Sequence, residues 1–185
     1  MFKVIVVKKI YVILSYSGSN FAKFLKFFTK EKYVHTTISF DKDLNKAYSF
    51  GRKYVYIPLP GGFIQENFHK NCSYFKNSVS KVYELDITDE QYNNLQKDLE
   101  ENYINQINKY KYNIIGLYFI WRNKQIHRKY HFVCTQFCAK VLIDNKIIDF
   151  NKDYSLIKPK DFLDLDILHL IFEGKTIEYL KRIPN

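Results

Sequence analysis

The chain has few cysteines and no long apolar run. Its 185 residues include three cysteines, Cys72, Cys134 and Cys138, with no CxxC pair and no His/Cys cluster at zinc-ligand spacing. An odd number of thiols without such pairs predicts reduced cysteines in a cytoplasmic compartment. No segment approaches the roughly 20 apolar residues of a membrane-spanning helix. Charges interrupt the short apolar run of residues 1–10, and no small-residue cleavage site follows it. We therefore expect a soluble, cytoplasmic protein.

Acidic residues are also scarce relative to basic ones. The chain carries 19 Asp and Glu against 29 Lys and Arg, which gives a formal charge of +10. The lysines are scattered, and the sequence has neither a basic run nor a nucleic-acid-binding motif. We expect a solvated basic surface and no nucleic-acid partner; whether that surface binds another anionic partner stays open.

No low-complexity linker or internal repeat divides the chain, so we expect one domain over residues 1–185. Apolar, β-branched and partly alternating stretches predict strands over residues 10–15, 33–40, 47–52, 80–87, 168–176 (with a Gly turn) and 177–180. Residues 58–62, rich in Pro and Gly, predict a break in the chain before a short strand over residues 62–66. Helices are predicted from Ser19 or Asn20, from Thr88, from Cys134 and from Pro159. This mixture predicts the α+β class.

The helix predicted from Cys134 organises the functional interpretation. Cys134, Phe137, Cys138, Val141 and Leu142 recur at helical spacing, which predicts a helix buried along one side. A thiol in its first turn lies near unpaired backbone N–H groups, which favour the nucleophilic thiolate and are able to bind an oxyanion. The alternative, commoner for cysteines in general, is a small buried hydrophobic residue. A suitable histidine would decide between the two.

One of five histidines has a context that suits catalysis. His35 opens a strand, whose rigid backbone is able to aim an imidazole at a helix N-terminus. His131 lies just outside the helix end, and His69 and His127 fall in polar, loop-like stretches. His169 lies between leucines and is expected to be packed. His35 is the preferred partner of the cysteine, with a purely structural role as the alternative.

Several motifs together resemble the circularly permuted papain-like cysteine hydrolases. This group is the YiiX-like branch of the superfamily of NlpC-type amidases and lecithin:retinol acyltransferases. The resemblance extends over residues 10–179. Its motifs are residues 33–41 (YVHTTISFD), 48–53 (YSFGRK), 60–63 (PGGF), 132–137 (FVCTQF), 158–162 (KPKDF) and 172–174 (FEG).

The resemblance implies a fold and the roles of specific residues. The implied fold is a small antiparallel, barrel-like sheet packed on the helix that starts at the catalytic cysteine. Permuted members place the histidine before the cysteine, as this chain does. The resemblance therefore implies that Cys134 is the nucleophile and that His35 is the base which activates it. It also implies an oxyanion site at the backbone N–H groups of Cys134 and Thr135, worth about 3 kcal/mol.

The third catalytic residue has two candidates. Relatives place a polar side chain on the strand after the histidine strand, where it orients the imidazole. Ser49 best matches that position, because a hairpin would bring it near His35. Glu66, after the Pro-Gly-Gly-Phe turn, is the alternative, and it would need an additional strand to return. We expect Ser49 beside His35 and Glu66 out of contact with the ring.

The implied activity is hydrolysis of an amide bond, of peptide or peptidoglycan type, through a Cys-His thioester mechanism. No cofactor or metal is expected, and the substrate would be peptide-like or acyl-bearing. One alternative is an acyltransferase or lipid thioesterase that uses the same pair, for which an apolar tunnel beside Cys134 would be the diagnostic feature. Another is a catalytically weak binding module on this fold, favoured by the weak third residue. Substrate specificity is expected in residues 54–77 and 109–129.

Overall fold

The computed structural model of the chain describes residues 7–54, 57–70, 75 and 77–183. Residues 1–6, part of the stretch considered as a leader, and Cys72 lie outside the described residues. The strands are β1 (Val7–Tyr16), β2 (His35–Ser39), β3 (Ala47–Tyr54), β4 (Ile57–Glu66), β5 (Val79–Thr88), β6 (Lys111–Tyr112), β7 (His131–Phe132) and β8 (His169–Lys175). The α-helices are α1 (Asn20–Thr29), α2 (Asp89–Asp98), α3 (Ile114–Trp121), α4 (Cys134–Asp144), α5 (Pro159–Leu163) and α6 (Thr176–Arg182). A π-helical turn, Leu99–Ile104, extends α2.

Six strands form one antiparallel sheet in the order β4-β3-β2-β1-β5-β8. The two short strands β6 and β7 pair in parallel beside it and lead into α3 and α4. This architecture confirms the α+β class and the antiparallel sheet. Within the described ranges, no helix is both long and apolar enough to cross a bilayer.

Local sequence signals set several element boundaries as predicted. The Ser19 hydroxyl caps α1 by accepting a hydrogen bond from the Ala22 N–H at 3.2 Å. Thr88 and Gln91 form a reciprocal capping box at the start of α2. In the β2–β3 turn, the Asp41 carboxylate accepts hydrogen bonds from two successive backbone N–H groups, each at 2.8 Å. Each signal acts within a few residues, so sequence alone sufficed to find it.

Aromatic side chains fill the core between the sheet and α4. Phe137 of α4 packs against Phe50 and Phe63 of β3 and β4, with ring centroids 5.2 and 5.4 Å apart. Tyr103 and Phe132 extend this cluster. The cluster holds α4 against β2 and β3, so the helix start has a defined position relative to the beginning of β2.

The predicted break over residues 58–62 is wrong, because these residues belong to β4. β4 lies at one end of the sheet order and pairs with β3 on one side. An edge strand tolerates prolines, whose missing N–H groups are not needed for a second neighbour. A Cβ atom at Gly62 would lie 2.5 Å from the Tyr110 carbonyl oxygen, so glycine permits a close backbone contact here.

The last predicted strand, residues 177–180, is also wrong, since these residues lie in α6. Thr176, Tyr179 and Leu180 are the buried positions of this segment, a spacing that suits a helix. Tyr179 and Leu180 pack on the same cluster as Ile13 and Val82 of the sheet. This packing favours a helix for residues 177–180, a segment too short for its sequence pattern to distinguish a helix from a strand.

Candidate active site

His35 and Glu66 form a hydrogen-bonded pair at the edge of a cavity. The His35 Nε2 atom lies 2.8 Å from Glu66 Oε1. The side chains are 27% and 10% exposed, respectively. His35 is the first residue of β2 and Glu66 the last of β4. Two strand termini therefore hold the pair in place.

This contact corrects the expected choice between Ser49 and Glu66. Ser49 does lie near His35, with its Oγ atom 3.4 Å from Nε2. Its shorter contact is the hydrogen bond that it donates to the Thr36 carbonyl oxygen at 2.7 Å. Glu66, expected to be out of contact with the ring, is the closer and the charged partner. The prediction that Glu66 stays away from His35 is wrong.

The arrangement of β3 and β4 explains why Glu66 reaches the imidazole. The additional strand that Glu66 required is β4, and it pairs with β3 so that Glu66 lies opposite Ala47. Ala47 and Ser49 are small, which leaves room for a longer side chain to extend across β3 toward β2. The Thr37 hydroxyl also donates to Glu66 Oε1, at 3.4 Å. Small residues on the intervening strand thus permit a contact across two strands.

Cys134 is the first residue of α4, as the sequence predicted, and it is 4% exposed. The helix start is held by Gln136, whose side-chain oxygen accepts a hydrogen bond from the Val133 N–H at 3.1 Å. The Gln136 amide nitrogen in turn donates to the Ser155 carbonyl oxygen at 2.9 Å. Asn113 also donates to Gln136, at 3.3 Å. This buried network fixes the backbone that carries the thiol.

The Cys134 thiol lies beside the start of β2, where its Sγ atom is 3.8 Å from the carbonyl oxygen of Val34, the residue before His35. Burial lowers the pKa of His35, but the charge of Glu66 and the hydrogen bonds to Cys134 and Glu66 oppose it. Their combined effect raises the pKa of His35 well above its ordinary value. Since Nε2 is bonded to Glu66, Nδ1 is the ring nitrogen available to the thiol. The three side chains therefore follow the order thiol, imidazole, carboxylate.

The N-terminus of α4 provides donors beside the thiol. Its first backbone hydrogen bond runs from the Phe137 N–H to the Val133 carbonyl oxygen at 3.1 Å. The N–H groups of Cys134 and Thr135 are therefore not used within the helix. Donors of this kind stabilise negative charge that develops on a nearby oxygen.

Sequence reasoning missed Tyr112. This residue pairs with Phe132 across the β6–β7 ladder, two positions before Cys134. Burial and the charge of Cys134 raise the pKa of Tyr112 well above its ordinary value, so its hydroxyl keeps its proton. The sequence could not predict the position of Tyr112, because a strand of two residues is too short to show a periodic pattern.

Two cavities meet at the site. The first, of about 270 Å³, is lined by His35 and Glu66 together with polar and basic side chains such as Ser15 and Arg52. The second, of about 600 Å³, includes Cys134 in its lining. Its other lining residues are mainly apolar and come from both α1 and α3, and from residues 157–159. Cys134 thus borders a largely apolar space, while the imidazole borders a more polar one.

The two described cysteines are expected to differ in reactivity. Cys138 is fully buried, and burial, with the nearby charge of Cys134, raises the pKa of its thiol well above the ordinary value. Limited iodoacetamide treatment at neutral pH should therefore alkylate Cys134 and leave Cys138 unmodified, as peptide mass spectrometry would show. The Cys138→Ala variant should be labelled at the wild-type rate. Preferential labelling of Cys138 or Cys72 would contradict the assignment of the nucleophile.

The raised pKa of His35 can be tested by following the protonation of its ring across pH. In NMR spectra its Cε1–H resonance should titrate well above pH 6.5, about the ordinary value for histidine. Glu66→Gln should lower the titration midpoint of His35. The variant loses the negative charge that raises this pKa, while burial continues to lower it. The proton on His35 stabilises the fold, an effect fully present below about pH 6.5 and lost as pH rises through the raised pKa. A wild-type midpoint at or below the ordinary value would contradict the pairing.

The site is built from side chains and backbone donors of this chain. In the part of the chain that the structure describes, no three His, Cys, Asp or Glu side chains cluster as a metal site requires. The residues brought together are Cys134, His35 and Glu66, with Ser49 and Tyr112 beside them. Comparisons of this chain with models of protein families, with curated proteins and with solved structures find no match.

Proposed function

We propose that this protein is a cysteine-dependent hydrolase that cleaves an amide bond through a thioester on Cys134. The observation that carries the proposal is the hydrogen bond between His35 and the Glu66 carboxylate, next to the strand residue whose carbonyl oxygen contacts the Cys134 thiol. Such a series supplies a nucleophile, a base and a group that orients the base. The order of His35 before Cys134 in the chain supports a permuted papain-like domain.

The first half of the proposed reaction forms the thioester. The Cys134 thiol gives its proton to His35, and the sulfur attacks the substrate carbonyl carbon. The resulting oxyanion accepts hydrogen bonds from the N–H groups of Cys134 and Thr135. The imidazolium then transfers its proton to the amide nitrogen, the carbon–nitrogen bond breaks, and the amine leaves.

The second half uses water. His35 removes a proton from a water molecule as the water oxygen attacks the thioester carbonyl carbon. The carbon–sulfur bond breaks, the acyl group leaves as a carboxylic acid, and the Cys134 sulfur regains a proton from His35. Glu66 stabilises the imidazolium in both halves, since its negative charge lies against the ring.

Trapping the acyl-enzyme tests this function without knowledge of the natural substrate. The protein mixed with p-nitrophenyl acetate should release a burst of p-nitrophenolate and gain the mass of one acetyl group, which peptide mapping should locate on Cys134. Cys134→Ala should show neither the burst nor the added mass. Acetylation spread over surface lysines, with no burst and no modification of Cys134, would refute the proposal. Hydrolysis of p-nitroanilides would then establish amide cleavage.

A second candidate function, transfer or hydrolysis of a long acyl chain, is favoured by the cavity beside Cys134. Its lining includes Leu25, Leu117 and Ile120, and its volume of about 600 Å³ is within the range of small-molecule sites. An apolar tunnel at this position was the feature expected to separate lipid chemistry from peptide hydrolysis. The chemistry at the sulfur is the same in both cases, so the cavity bears on the acyl group alone.

The length of the acyl chain should therefore control the acylation rate. Across p-nitrophenyl esters from acetate to decanoate, kcat/KM should rise by up to about fourfold per methylene, since each buried CH₂ contributes about 0.8 kcal/mol. Leu117→Trp should remove this gain for long chains and leave acetate hydrolysis unchanged, because the larger side chain occupies the cavity. A rate independent of chain length would favour a short or peptide-like acyl group.

A further inference from the structure

Two neighbouring helices expose an unusual number of large apolar side chains. Leu117 of α3 packs against the small apolar cluster that contains Leu25 of α1, and both helices line the cavity beside Cys134. The side chains on these faces are between 47% and 79% exposed. We call them the docking surface: Phe24, Phe27, Ile114, Ile115, Tyr118 and Trp121. Scattered apolar residues need no explanation, whereas several exposed large apolar side chains around one cavity favour a contact surface.

The two helices of this surface carry no acidic side chain. No acidic residue precedes Glu31, and none lies between Glu101 and Asp144. Both helices and the segments that adjoin them are therefore free of negative side chains up to Glu31 and Asp144. Exposed cations accompany the apolar residues at Lys23, Lys26, Lys30, Arg122 and Lys124. The surface is thus apolar at its centre and positively charged at its margins.

This chemistry fits a lipid surface better than a protein partner. Helices that lie on membranes combine Trp, Phe and Leu on one face with Lys and Arg beside them. Protein interfaces are instead depleted in Lys relative to the rest of the surface, and Lys supplies most of the cations here. Four members of the docking surface, Phe24, Ile114, Tyr118 and Trp121, also line the cavity that contains Cys134. A bilayer against this face would therefore cover the cavity mouth.

We propose that the docking surface binds an anionic phospholipid bilayer. The apolar side chains enter the boundary between headgroups and acyl chains, and the lysines and Arg122 contact the negatively charged headgroups. Each cation near such a surface raises the association constant by about fivefold. The inference goes beyond the proposed hydrolase function and does not depend on it, since Cys134→Ala should bind membranes as well as the wild type does.

Vesicle flotation tests the proposal with the full chain. The protein should float with vesicles of phosphatidylcholine mixed with phosphatidylglycerol, and much less with phosphatidylcholine alone. Added salt should weaken binding, because it screens the headgroup charge. Lys26→Glu should lower the association constant of the protein for anionic vesicles by about tenfold or more, since it replaces one attraction by a repulsion. Trp121→Ser should lower it similarly by removing buried apolar area.

Matched changes elsewhere separate the docking surface from general charge and hydrophobicity. Lys181→Glu alters an exposed lysine of α6, and Leu170→Ser alters an exposed leucine of β8. Both should bind vesicles like the wild type, and circular dichroism should show that all four variants are folded. Equal binding to neutral vesicles, equal losses in the control variants, or no vesicle binding by the wild type would overturn the proposal. A solution dimer that Trp121→Ser dissociates, without vesicle binding, would identify a second copy as the occupant instead.

Discussion

Replacing Glu66 with glutamine is expected to lower kcat/KM for p-nitrophenyl ester hydrolysis by about 100-fold to 10,000-fold. The amide retains the size of the carboxylate, so the change removes charge while it preserves packing. Without that charge, the imidazolium that forms during attack loses its main stabilising partner. A glutamine NH₂ group facing Nε2 would in addition favour the wrong tautomer of His35.

Ser49→Ala is the matched control for this prediction. The Ser49 hydroxyl lies 3.4 Å from Nε2 and donates its proton to the Thr36 carbonyl oxygen, so its removal should lower the rate only a few-fold. The two variants therefore rank the candidates for the third residue directly. If Ser49→Ala were the more damaging change while Glu66→Gln remained near wild type, Glu66 would be a structural partner only. Measuring each rate across pH would separate a lost orienting group from a loosened fold.

Replacing His35 with alanine is expected to slow acylation of Cys134 by about 1,000-fold or more, because it removes the base proposed to accept the thiol proton. The burst of p-nitrophenolate should disappear, and alkylation of Cys134 by iodoacetamide at neutral pH should slow as well. Stopped-flow absorbance would follow the burst, and intact-protein mass spectrometry would follow the alkylation.

His127→Ala provides a control of the same chemistry. His127 also pairs with a carboxylate, with its Nε2 atom 2.9 Å from Asp153 Oδ1, but its side chain is 53% exposed. Its removal should leave acylation at the wild-type rate. Comparable losses in the two variants, or full activity in His35→Ala, would rule out His35 as the base and favour a binding module on this fold.

The Cys134 helix, its start and the strand that opens with His35 were predictable because their signals are local. Helical spacing of apolar residues marks α4, and hydroxyl or carboxylate caps mark the starts of α1 and α2 and the β2–β3 turn. In each case the atoms that determine the structure lie within about one turn of each other along the chain. Periodicity failed for residues 177–180, where only packing against the sheet favoured a helix.

The sequence by itself determined the α+β class and the position of Cys134 at a helix start. It gave the pairing of His35 with Cys134 as a hypothesis. Only the tertiary structure decided that Glu66, rather than Ser49, is the closest partner of the imidazole. That contact depends on a strand added at the sheet edge and on the small size of Ala47. Packing likewise brought α1 and α3, far apart in the chain, to one cavity. Contacts between distant segments leave no periodic trace in a single sequence, because each segment's pattern reports its own burial and not its neighbour.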